Sequence, residues 1–333
     1  MKALVTGGGG FLGGHIAHML SVRGDDVTVL GRSKYPKLES AGIRTIQADV
    51  RDAQAVADSC RGYDIVYHVA GLPGIWGPRK LYQSINVDGT ANVIRACREN
   101  RIAKLVHTST PSVVFGTAQV SGIDESAPYA TRFLTHYAAG KAAAEKMVLK
   151  ANGANLMTVA LRPHLIWGPG DPHLIPRVID RARRKRLIQI GDGRNLVDIT
   201  YVENAAQAHL LAADALAPGK PPAGKAYFIS QGQPVVFWDW LREWLGRINA
   251  PPVRKSISFR AAFALGASLE LIYRAAMIKR EPLMTRFVAT QLAKNHYFDI
   301  SAARKDFGYV PRVSTEVGTD RLVEWILESG LAG

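Results

Sequence analysis

Cysteine is scarce in this chain. The two present, Cys60 and Cys97, are spaced neither as a C-x-x-C pair nor as metal ligands. No metal site is expected, and a reducing compartment is the default. Long apolar runs are missing as well. None reaches the roughly 18 uncharged residues that a membrane-crossing helix requires, and a core strand begins two residues in, leaving no room for a cleavable signal. The expected location is the cytoplasm. Acidic residues are outnumbered, with 28 Asp and Glu against 42 Lys and Arg and a formal net charge of +14. That balance implies acidic company: phosphates, carboxylates, an acyl carrier, an anionic lipid surface or nucleic acid. The densest basic stretch, Arg177 with Arg181, Arg183, Arg184, Lys185 and Arg186, falls on a helical pattern and reads as a solvated face, so no nucleic-acid partner is expected.

Core-forming residues are present in ordinary measure. Hydrophobic residues make up 47% and charged residues 21% of 333 positions, which describes a globular protein long enough for two lobes. The chain opens with a short apolar run, Lys2 to Thr6, that stops at glycines and restarts at Phe11 with helical periodicity. This reads as strand, tight turn and helix. Gly7, Gly10 and Gly13 fall in a G-x-x-G-x-x-G spacing. The first makes the turn, the second lets backbone approach a pyrophosphate, and the third lets helix pack on strand. The helix N-terminus then offers free N–H groups to phosphates.

A second apolar strand follows at Asp26 to Leu30. An NAD-selective site would carry an acid near its end to bond both ribose hydroxyls. Here the position is Gly31, and Arg32 follows, whose planar fork suits a 2′-phosphate. NADP(H) is therefore expected over NAD(H). Further units repeat the period: Thr45 to Val50, an alanine-rich helix, and Tyr63 to Gly71. Such alternation implies an α/β fold with a doubly wound parallel sheet and a ligand at the strands' carboxyl ends. Asp49 ends its strand there, close to an adenine site. Asn86 to Cys97 reads as a helix with Val87, Ala91, Ile94 and Cys97 on its apolar face. Lys104 to Thr110 is the next strand, with hydroxyls crowding its end.

Tyr137 and Lys141 are four residues apart, so they share one helix face. A phenol with a pKa of about 10 is a poor proton carrier at neutral pH. A neighbouring ammonium and an oxidised nicotinamide would stabilise the phenolate.

Taken together, TGGGGFLG at 6–13, HVAG at 68–71, NVDGT at 86–90, TSTPSVVFG at 108–116, YAAGK at 137–141 and LRPHLIWGPGD at 161–171 resemble the extended short-chain dehydrogenase/reductase superfamily. Within it the chain is similar to the 3β-hydroxysteroid and sterol-4α-carboxylate dehydrogenase branch. The segments around 107–116, 160–177, 191–209 and 304–314 are closer still to bacterial 2-alkyl-3-oxoalkanoate reductases of long-chain olefin biosynthesis. The resemblance implies that Tyr137 is the general acid/base and that Lys141 holds the nicotinamide ribose and lowers the phenol pKa. It implies further that Thr110, or the adjacent Ser109, polarises the substrate oxygen, with Asn86 near the proton path. It assigns a cofactor site to Gly7, Gly10, Phe11, Leu12 and Gly13, to Arg32, Asp49 and Val50, to Val69, Ala70 and Gly71, and to Lys141, Pro163 and His164. For His164 a packing role is as good a reading. The implied reaction is NADPH-dependent reduction of a long-chain 2-alkyl-3-oxoalkanoate. Its rivals are 3β-hydroxysteroid or sterol-carboxylate dehydrogenation and, further off, NADP sensing without turnover.

The expected division puts residues 1–163 and about 195–232 in the nucleotide-binding Rossmann domain, and about 164–194 and 233–333 in a smaller, mostly helical substrate lobe. Aromatics between Val236 and Leu245 are expected in its core. The apolar stretch Ala261 to Met277, broken by Glu270 and Arg274, could line an acyl pocket, lie on a membrane surface, join a dimer or simply pack. A homodimer, peripheral membrane contact and association with other enzymes of an olefin pathway are the remaining partner expectations, the last carried by resemblance alone. Arg177 or Arg79 is the guess for a substrate carboxylate.

Overall fold

Ala3, Leu4 and Val5, like Val27, Thr28, Val29 and Leu30, are buried without alternation. Strands covered on both faces read this way when helices pack above and below a parallel sheet. In the computed structural model, which describes residues 1–331, seven such strands form the central sheet: β1 Lys2–Thr6, β2 Asp26–Gly31, β3 Arg44–Gln47, β4 Ile65–His68, β5 Lys104–Thr108, β6 Met157–Pro163 and β7 Ala226–Ile229. Their spatial order is β7-β6-β5-β4-β1-β2-β3, and every pairing is parallel. The chain winds outward in both directions from the β1/β4 boundary. A crevice opens at the carboxyl ends of these two strands, where doubly wound sheets bind ligands.

The helices sit largely where the periodicity puts them, Phe11–Val22 after the glycine turn and His136–Ala151 carrying Tyr137. One differs. Gln83–Asp88 is a π-helical segment, and the regular α-helix begins only at Gly89. Val87, Ile94 and Cys97 of the expected apolar face are buried, but the wider turn leaves Ala91 exposed and adds Thr90, Val93 and Ala96 to the buried face.

A second core gathers around Trp167, Trp238, Trp240 and Trp244 with Ile175, Val178 and Leu322. Phe237 and the three tryptophans of helix Phe237–Arg247 are buried in it. The substrate-lobe stretch is not uniform, however, because Phe298, Ile300, Phe307 and Tyr309 pack into the main core beneath the sheet. Helix Phe259–Ala275 shows Leu265, Leu271 and Ile272 to solvent. Its buried charge, Glu270, is held by the backbone N–H and guanidinium of Arg286. Among the described residues no helix is long and apolar enough to cross a membrane.

Candidate active site

The glycine turn is shaped by close approaches. Gly7 has φ +71°, and a Cβ there would lie 2.7 Å from the backbone of Ala70. A Cβ on Gly13 would meet the Gly7 carbonyl oxygen at 2.3 Å. These two positions therefore admit only glycine. Gly10 caps helix Phe11–Val22 with no side-chain hydrogen bond, which leaves the first-turn N–H groups of Phe11, Leu12 and Gly13 without intrahelical partners. That is the anion-binding arrangement of a helix N-terminus.

The turn lines a cavity of about 480 Å³. Gly7, Gly10, Phe11, Leu12, Gly13, Arg32, Asp49, Val50, Val69, Ala70, Gly71, Ser109, Tyr137 and Lys141 all line it. Residues that lie up to 134 positions apart in the sequence thus converge on one space. A hollow lined by both a helix-capping glycine turn and a Tyr/Lys pair fits a dinucleotide. Arg32 is exposed and is part of the wall. Asp49 is committed to Arg51, which bonds it through Nε and Nη2 at 3.0 and 2.7 Å. That pair holds the carboxyl below its usual range.

Helix His136–Ala151 starts at Thr135, whose hydroxyl accepts from the Ala138 N–H at 3.1 Å. Tyr137 lies in its first turn, and burial raises its pKa above the ordinary phenol value, while the nearby Thr110 hydroxyl opposes the rise. The expectation of a lowered phenol pKa does not hold in the protein alone, where desolvation outweighs every other influence on Tyr137. Lys141 is buried, donates to the Thr108 carbonyl oxygen, and has its own pKa pulled down to about 8 by burial.

The two hydroxyls at the end of β5 differ. Thr110 caps the short turn Pro111–Val113, accepting from Ser112 N–H at 3.2 Å and donating to Ser112 Oγ at 3.3 Å. Ser109 lines the cavity, and its buried Oγ has no hydrogen-bond partner. Asn86 turns its amide to the backbone of Leu72, accepting from N–H at 2.7 Å and donating to the carbonyl at 3.2 Å. It clamps the loop after β4 from the π-helical segment. Thr90 donates to the Asn86 carbonyl at 2.7 Å. His68 Nε2 must then donate to Thr90 at 2.9 Å, leaving Nδ1 to accept from Thr6 at 2.8 Å. This buried chain ties the glycine strand to the clamp.

Pro163 and His164 do not line the cavity. The imidazole of His164 meets His296 at 2.6 Å and packs on Phe298, a packing role set by the small sheet that carries His296–Phe298. The wall there is made by Ile166, Asp171, His173 and Leu174, which sequence reasoning missed. Asp171 could have been found from its place after Gly170, because it accepts from His173, Leu174 and Ile175 N–H groups and starts the next helix. Tyr35, also in the wall, carries no spacing signal. Arg177 is bound to Glu281 at 2.9 Å, so its charge is already answered. Arg79 is exposed and borders a second cavity of about 600 Å³.

A sequence profile described as the 3-beta hydroxysteroid dehydrogenase/isomerase family matches residues 4–257. A protein named 2-alkyl-3-oxoalkanoate reductase from Stenotrophomonas maltophilia is 49% identical over 324 residues, covering 97% of this chain and 98% of its own. One of the same name from Shewanella oneidensis is 50% identical over 328 residues, covering 96% and 85%. A sterol-4-alpha-carboxylate 3-dehydrogenase, decarboxylating, from Mus musculus is 34% identical, covering 97% and 90%. Among solved structures, the one described as gox2253 superposes with a TM-score of 0.81 at 23% identity, over 99% of both chains, which speaks for the fold alone. The chain belongs to the 3-beta hydroxysteroid dehydrogenase/isomerase family and is an oxidoreductase of the extended short-chain dehydrogenase/reductase fold.

Proposed function

We propose that this protein reduces the 3-oxo group of a long-chain 2-alkyl-3-oxoalkanoate to the 3-hydroxy acid with NADPH, as a step of olefin biosynthesis. The observation that carries this reading is near-50% identity, over almost the whole chain, to two proteins named for that activity. The Tyr/Lys pair and the glycine turn stand intact beside it. NADPH is favoured over NADH because the end of β2 has glycine in place of an acid and an exposed arginine next to it.

When bound, the reduced nicotinamide supplies a hydride to the keto carbon. The chain's own work is to orient and to move one proton. Tyr137 gives its phenolic proton to the developing alkoxide, and a hydroxyl from Thr110 or Ser109 donates a second hydrogen bond to the same oxygen. Burial that raises the phenol pKa keeps the proton in place until the alkoxide draws it, which suits the reducing direction. The Lys141 ammonium stabilises the phenolate left behind.

The second cavity suits alkyl chains. Ile75, Trp76, Phe133, Leu134, Met277 and Phe287 give it apolar walls, while Arg79 and Arg274 border it. Burial, with the Arg274 and Arg79 cations, lowers the pKa of His136; Arg274 lies 3.6 Å from Glu270, so Arg79 is the cation offered to a negative substrate group. The sterol relative and the family profile favour a second reading, dehydrogenation of a 3β-hydroxysteroid or sterol carboxylate. Initial rates of NADPH oxidation with long-chain 2-alkyl-3-oxoalkanoates and with 3-ketosteroids separate the two. Faster turnover of the branched ketoacids is expected, and faster steroid turnover would reverse the assignment.

A further inference from the structure

The ring of Tyr35 fills space that two glycines leave open. A Cβ on Gly9 would lie 1.9 Å from Tyr35 Cε1, and one on Gly31 would lie 2.3 Å from the phenol oxygen. The side chain therefore bridges the glycine turn after β1 and the end of β2. It is half-buried, packs against the main core and lines the dinucleotide-shaped cavity together with Arg32. Its backbone is fixed by the following turn, in which the Leu38 and Glu39 N–H groups bond the Tyr35 carbonyl at 2.9 and 3.1 Å.

The end of β2 is where a dinucleotide fold distinguishes its cofactors, through an acid that holds the ribose hydroxyls. Gly31 occupies that position without a positive φ, so its backbone accepts any residue. The three atoms nearest a Cβ at 31 all belong to Tyr35. The phenol is thus the nearest obstacle to a side chain at this position.

We propose that Tyr35 is a specificity-determining residue for the adenosine half of the cofactor. Its phenol stands where the acid of an NAD site would project, opposes a carboxylate at 31, and offers a hydroxyl to a 2′-phosphate in the cavity that Arg32 also lines. This rests on the NADPH reading above. It also makes a claim that Arg32 alone does not: position 31 and position 35 are coupled, and an acid at 31 can serve NADH only when the phenol is gone.

Calorimetric titration of NADPH and NADH into the wild-type protein and three variants tests the coupling. Tyr35→Phe keeps the ring and its packing and removes only the hydroxyl. It should weaken NADPH by about tenfold, the loss expected for one hydrogen bond to a charged group, and leave NADH within about twofold. Gly31→Asp should bind both nucleotides at least about tenfold more weakly, and Gly31→Asp with Tyr35→Ala should bind NADH more tightly than wild type does. Wild-type preference for NADH would overturn the NADPH reading and the phosphate role with it. Wild-type preference for NADPH would leave that reading standing, and the proposal alone would fall if Tyr35→Phe bound both nucleotides as wild type does. It would fall equally if Gly31→Asp by itself gained NADH as strongly as the double variant.

Discussion

Lys141 is a lysine without water. It is buried, with its ammonium on the Thr108 carbonyl, and burial brings its pKa down to about 8, against the pull of Glu145 in the other direction. An unfolded lysine titrates at about 10.4, so between about pH 8 and pH 10.4 the unfolded chain binds the extra proton. Stability from this group rises with pH through that window, because the burial penalty on the charge is relieved. Under the proposed mechanism catalysis runs the opposite way, since there the ammonium supports the Tyr137 phenolate. The value of kcat/KM for NADPH, which reports the free enzyme, should therefore fall as pH rises through about 8, and Lys141→Arg should move that limb upward. A flat profile to pH 10 would show that the ammonium is not required. The Tyr137/Lys141 pair is legible in the sequence because an i, i+4 spacing on a helix is local geometry. The lysine's burial is not, since the strand that receives it lies over thirty positions away. The same applies to Ser109 and Thr110, whose different partners come from tertiary neighbours. His164 turns to His296 for a reason found only in the small sheet.

Helix His136–Ala151 carries Tyr137 and Lys141, and a buried ion pair lies one turn further on. Arg162, on β6, bonds Glu145 at 3.0 and 2.6 Å, with side chains 4% and 0% exposed. Tyr129 donates to the same carboxylate at 2.8 Å, and the guanidinium stacks over Phe228 at 5.0 Å. Removing one member of such a pair strands a charge in a dry core, which costs about 3–5 kcal/mol. Glu145→Gln should lose stability on that scale in urea unfolding, while Glu145→Leu combined with Arg162→Met should recover most of it. A loss below about 1 kcal/mol in the single variant would mean the pair does not hold the helix to the sheet. Element positions were largely readable, because short apolar strands and alanine-rich helices carry their own periods. The π-helical segment Gln83–Asp88 was not, since the residues of a wider turn look like those of an ordinary one. Its consequence is functional. The segment directs Asn86 onto Leu72 and so fixes the loop that forms one wall of the cavity.

At the scale of the whole molecule, the sheet supplies one cavity at the β1/β4 crevice, and residues from the helical region border another beside it. The doubly wound order of seven parallel strands was readable from the alternation of strand and helix. The limits of the substrate lobe were less so, because the chain from Phe298 to Tyr309 returns to the main core after its excursion. Nothing in local pattern marks such a return. The high positive charge resolves the same way, partly into ion pairs such as Arg177–Glu281 and Arg321–Glu203 and partly into the exposed Arg32 and Arg79 beside the two cavities.

The proposed reaction turns on the phenol of Tyr137, which lines the first cavity, and the most direct measurement of its role pairs kinetics with binding in Tyr137→Phe. Loss of general-acid catalysis should lower kcat for ketoacid reduction by about 10²–10⁴-fold, while the Kd for NADPH stays within about twofold of wild type. Ketoacid turnover within a few-fold of wild type, with NADPH bound as before, would contradict the account.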